Sequence, residues 1–144
     1  MIRTAILAAV TAVAALPAAA ETLASPHSVR QTMDNLVAAV KAAGATVVAR
    51  VDHAEAARTV DMELPDAELL ILGNPKVGTP IMQQDVAAGL VLPLRVSVHA
   101  GDDGTVIHWQ SPGEMFAGLD VDLESEPVRA MAGALEKLTA QAAE

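Results

Sequence analysis

The stretch LLILGNPKVGTPIM, residues 69–82, decides how this chain is organised. Its first four residues are a continuous aliphatic run of the kind found in an interior strand. Asn74-Pro75 then turns the chain, and Thr79-Pro80 has the N-cap and N1 chemistry that opens a helix, expected to run to about Ala88. Upstream, Thr46 to Val51 is β-branched and apolar enough for a second strand, which ends in Asp52-His53. Two strand ends and a Pro/Gly-punctuated loop are where side chains can be brought together over a scaffold.

Working outward, Thr22 to Ala24 suits a short edge strand, and Ser28 caps a helix bearing Val29, Met33, Leu36, Val37 and Val40 at helical spacing. Gly44 closes that helix as a C′ residue. Ala54 to Val60 allows one or two helical turns. Leu94 to His99 alternates, with Leu94, Val96 and Val98 on one face and Arg95, Ser97 and His99 on the other. Asp102-Asp103-Gly104 turns it into Thr105 to Gln110, a hairpin with one polar face on which His99 and His108 look the same way. Ser111-Pro112-Gly113 breaks the pattern, and an irregular acidic segment follows through Glu124. Ser125 and Pro127 then start a final helix with Val128, Met131, Leu135 and Leu138 as its stripe. The order suits an α+β domain, a single sheet with long helices over one face.

Residues 1–20 read as a secretory signal peptide: Arg3, an apolar Ile6 to Leu16, and an Ala18-Ala19-Ala20 cleavage site before Glu21. The alternative, a retained membrane anchor, is disfavoured because the apolar run falls short of the ~20 residues a span needs. Export to a periplasm is expected, with no membrane association after cleavage. Residues 21–144 then form one domain of ordinary size. Without cysteine the chain can hold neither a disulfide, a lipid anchor nor a covalent c-type haem. Loss of Arg3 takes 9 basic against 18 acidic residues to a net charge near −10, which argues against nucleic acid as a partner. With one Trp and one Phe, the core must be aliphatic and methionine-rich.

Several side chains have chemistry to offer. Asp52 beside His53 could support acid–base catalysis, because histidine is the residue type suited to proton transfer at physiological pH and Asp52 could fix its tautomer; equally, Asp52 could cap the short helix that follows. Asn74, Lys76, Gly78 and Thr79 could cradle a small anion on backbone N–H groups, with Arg95 as a second cation. Turn formation, a special glycine angle, helix capping and a solvated lysine account for the same residues. His53 with Met82 admits a copper or noncovalent haem site, although no local cluster completes a ligand set. The cofactor therefore stays unspecified.

The blocks Val51-Asp52-His53-Ala54, Leu69 to Met82 and Leu92-Pro93-Leu94-Arg95, in that order, resemble the bacterial and archaeal family numbered 302 among the domains of unknown function. The resemblance runs from about Ser28 to Gln110. It implies a β-α-β4-α layer with the topology of the TATA-binding-protein fold, and pairing as homodimers. It brings no established activity. This chain departs from the family pattern with Pro65-Asp66 before the buried strand and with Gln110 to Phe116 after the hairpin. The function expected is a small-ligand-binding or interaction module with a pocket between the Asp-His strand end and the Asn-Pro-Lys loop. The alternatives are an enzyme using His53 and Asp52, and a copper- or haem-handling protein using His53 and Met82.

Overall fold

A computed structural model describes residues 20–144, so the expected signal peptide lies, but for Ala20, outside the described residues. The elements run β1 (Glu21–Ser25), α1 (Val29–Ala42), β2 (Thr46–Asp52), α2 (His53–Arg58), β3 (Ala67–Gly73), α3 (Pro75–Met82), a 3-10 turn (Val86–Leu90), β4 (Leu94–Gly101), β5 (Gly104–Trp109), α4 (Pro112–Met115) and α5 (Glu126–Ala143). The five strands form one sheet in the order β1-β5-β4-β3-β2, antiparallel throughout. The α+β architecture expected from the sequence is the one formed.

Strand alternation divides the sheet into two faces. Leu70, Leu72, Val96, Val98 and Ile107 point to the helix face and are almost completely buried. Against them lie Met33, Leu36 and Val40 of α1, with Val128, Met131, Leu135 and Leu138 of α5. Both long helices thus bury a stripe at the spacing their sequences carry. Ser28 accepts a hydrogen bond from the Gln31 N–H at 3.2 Å, and Gly44 follows α1 at φ +70°, so both expected caps form. On the opposite face Ala49, Val51, Leu69, Ile71, Ser97, Val106 and His108 remain half-exposed, and no described helix covers them.

Polar contacts fasten the sheet to its surroundings. Glu68, buried on the helix face, accepts hydrogen bonds from both Nε and Nη2 of Arg50 on the neighbouring strand, the second at 3.0 Å. Asp34 of α1 binds the same guanidinium at 2.5 Å, so one cation ties β2, β3 and α1 together. The hydrogen bond to Glu68 is the foremost reason why the Arg50 guanidinium is held still more firmly protonated than usual. At the other end, Gln84 accepts from the Asp122 N–H at 2.9 Å and Asp85 from the Asp120 N–H at 3.0 Å. These two side chains lace the acidic segment before α5 onto the turn that follows α3.

Two elements differ from the sequence expectation. The helix after β3 begins at Pro75, not after Thr79, because Asn74 takes the cap: its carboxamide accepts from the Lys76 N–H at 3.0 Å, and Pro75 occupies the first turn. Pro80 falls inside this helix, where it lacks the N–H that would reach the Lys76 carbonyl. The helix ends at Met82, and Asp85 caps a separate 3-10 turn at Ala87 instead of the helix continuing to Ala88. The supposedly irregular segment after β5 contains a short helix, capped by Ser111 and started by Pro112, that buries Met115 and Phe116.

Candidate functional site

The strand register places the expected site residues in separate regions. In the antiparallel pair, Thr46 lies opposite Gly73 and Asp52 opposite Glu68. Asp52-His53 and the Asn74 loop therefore sit at opposite ends of β3, about 20 Å apart at the rise of a strand. The single pocket expected between them does not form. Asp52 accepts from the Glu55 N–H at 2.8 Å as the N-cap of α2, and His53 is exposed at the first position of that helix. In this geometry Asp52 spends a carboxylate oxygen on the backbone.

The loop's backbone is also engaged. The Lys76 N–H goes to the Asn74 side chain, and the Val77 and Gly78 N–H groups both go to the Asn74 carbonyl at 2.9 Å. These donors do not converge on open space, so the anion cradle expected of them is absent from the arrangement. Lys76 is exposed. Arg95 lies on the uncovered sheet face, with Nη2 3.5 Å from the Gln110 carboxamide oxygen. His99 and His108 stand on that face too, as an edge-to-face pair with ring centres 6.4 Å apart.

What the loop does build is a wall. Asn74, Pro75, Val77, Gly78, Thr79 and Met82 form one side of a cavity of about 650 Å³. The opposite side is the C-terminal end of α1 (Ala39, Ala42, Ala43) and one face of α5, where Met131, Ala134, Leu138 and Gln141 recur at helical spacing beside Lys137. Leu72, Leu94, Met131 and Leu138 make a buried floor; Thr46, Val48, Lys137 and Gln141 are exposed at the rim. Small residues leave the space open between the helices: Ala42 of α1, Gly78 of α3 and Ala134 of α5 have too little side chain to meet across it.

Of the residues singled out in the sequence, Asn74, Gly78, Thr79 and Met82 are thus brought to one cavity. Asp52, His53, Lys76 and Arg95 are not. No histidine stands among the described residues lining it, so the pairing of His53 with Met82 on one metal or haem iron does not occur here. The sequence reading missed α1 and α5 as walls, and Lys137 and Gln141 as its polar rim. Their signal was present, because residues 137 and 141 lie one turn apart along the edge of the final apolar stripe.

The family profile described as "Domain of unknown function DUF302" matches residues 21–142. The chain belongs to the DUF302 family. A solved relative, an uncharacterized conserved DUF302 protein from Bacillus stearothermophilus, superposes with a TM-score of 0.68 at 17% identity, over 86% of this chain and 94% of that one. At that identity the likeness is one of fold. Among curated proteins, the chain is 41% identical over 88 residues to "Fluoride-specific ion channel FluC 1" of Brucella suis and to its namesake in Brucella abortus. That alignment covers 61% of this chain and 34% and 32% of those proteins. The DUF302 chain thus spans about a third of the length of the curated relatives it matches, and no helix among its described residues is long and apolar enough to cross a membrane.

Proposed function

We propose that this DUF302 domain is a binding module for a small lipophilic molecule, held in the cavity beneath the Gly-Asn-Pro-Lys-x-Gly-Thr-Pro loop. The observation that carries the reading is the cavity itself. Its volume of about 650 Å³ lies within the ~300–1,000 Å³ usual for ligand sites, and its lining is dominated by aliphatic side chains with a few polar groups at the rim. The exposed Ala42 and Ala134, with Gly78 of the loop, leave the apolar floor accessible to a ligand from solvent.

The relatives support a module over a self-contained pore. A stretch without a membrane-crossing helix matches a third of a channel protein, which is how an appended binding domain would align. The signal-like residues 1–20 support work in the periplasm. Half-exposed Val51, Leu69, Ile71 and Val106 on the uncovered sheet face support a homodimer. Detection of the uncleaved N-terminus in a cytoplasmic fraction would refute the first of these, and a monomer at micromolar concentration in analytical ultracentrifugation the second.

The cavity is tested with N-phenyl-1-naphthylamine, an uncharged dye that brightens in apolar surroundings. The protein should enhance its fluorescence saturably, and Ala134→Trp, which places an indole in the space, should abolish the enhancement while the circular dichroism stays native. A wild-type protein that leaves the dye dark overturns the reading, as does full enhancement by the folded Ala134→Trp variant.

A further inference from the structure

The cavity carries more information than its size. The protein is acidic, with 18 carboxylate residues against 9 basic ones. Yet among the described residues that line the cavity Lys137 alone is charged, and no Asp or Glu is among them. Each ion pair among the described residues uses Arg50, Arg58 or Arg129 as its cation, so the Lys137 ammonium has no carboxylate partner among them. Lysine at such a rim lays its aliphatic stem along apolar surface and holds its charge at the water boundary. Gln141, one turn on, and Thr46, at the start of β2, place a carboxamide and a hydroxyl on the same rim.

Resting on the binding reading above, we infer that the ligand is a monoanionic amphiphile, a lipophilic carboxylate whose head sits at Lys137 and whose apolar tail lies over Leu72, Leu94, Met131 and Leu138. A single cation offsets a single negative charge. A lipophilic cation would meet an unopposed ammonium at the entrance, and a dianionic head would bring one charge too many. Lys76, the cation of the loop motif, is exposed and does not line this space, so the charge that selects the ligand comes from the C-terminal helix and not from the family's most recognisable segment.

The test is competition against the bound dye at pH 8 by three molecules with the same tail: dodecanoate, dodecanol and dodecyltrimethylammonium, each below its micelle concentration, with the full chain as its host processes it. Dodecanoate should bind about tenfold more tightly than dodecanol, and the cation more weakly than either, since a charge-assisted hydrogen bond at a partly wet rim amounts to roughly a factor of ten. Lys137→Ala should remove that tenfold advantage and leave dodecanol within about twofold; Lys137→Glu should make the cation the better ligand. Equal competition by all three, or equal losses of dodecanoate and dodecanol in Lys137→Ala, overturns the assignment of the anionic head while leaving the cavity reading standing. Failure of the dye itself to bind removes both.

Discussion

Replacing Arg50 by methionine keeps most of the aliphatic stem and deletes the guanidinium, leaving the Glu68 carboxylate without its partner. Glu68 is 5% exposed, and both its oxygens are hydrogen-bonded to Arg50. Breaking a buried ion pair on one side costs about 3–5 kcal/mol, chiefly because the remaining charge stays desolvated. Here the Arg50 side chain is 30% exposed, so water can reach the vacated position and the low end, about 3 kcal/mol, is expected. For a domain of this size that is about a 12 °C fall in the melting temperature. Asp34→Asn should cost under about 1 kcal/mol, because Asp34 is 53% exposed and an exposed pair contributes little. The double variant Arg50→Met, Glu68→Leu should recover most of the loss by leaving no orphan charge. Urea unfolding followed by far-ultraviolet circular dichroism measures all three. A loss below about 1 kcal/mol for Arg50→Met, with an unchanged denaturant slope, would refute the argument that Glu68 depends on this partner.

Asp52→Ala removes the N-cap of α2 and should cost about 1 kcal/mol; a loss of dye binding with unchanged stability would instead return Asp52 to the ligand site. Lys76→Ala should change stability by less than about 0.5 kcal/mol and leave dye binding untouched, because the side chain is exposed and outside the cavity; failure to bind would revive the loop as an anion clamp. Asp85 is held below its usual carboxylate range, first by the Asp120 N–H and then by that of Ala87. A folded-state value below the unfolded one contributes stability that is present above the unfolded value and lost as the pH falls through the folded one. As the pH falls through and below the ordinary carboxylate range, wild type should therefore lose stability more steeply than Asp85→Asn, and parallel acid melting curves would contradict this.

Much of the fold was legible because its signals are local. The period-2 pattern of Leu94 to His99, the caps at Ser28 and Gly44 and the stripes of α1 and α5 each depend on a few neighbouring residues and survive into the structure. The start of α3 differs from the sequence expectation because two Asx/Thr-Pro signals, Asn74-Pro75 and Thr79-Pro80, stand five residues apart. Both suit a helix start, and the first one prevails because the Asn74 side chain closes onto the Lys76 N–H. The helix at Pro112 to Met115 is a single turn and buries only its end, too short for periodicity to register.

The sequence by itself determined the α+β class, the family and the loop that walls the cavity. Hydrophobic period, capping chemistry and a linear motif need no partner from elsewhere in the chain to be recognised. Tertiary structure alone decided where the cavity is. Antiparallel pairing of β2 with β3 sent Asp52-His53 and Asn74 to opposite ends of a strand, and the packing of α5 against α3 and the end of α1 brought Lys137 to the rim of the cavity that the loop walls. Charge at a cavity is a property of residues distant in sequence that share one small volume, and that sharing is set by strand register and helix placement, which no single segment encodes.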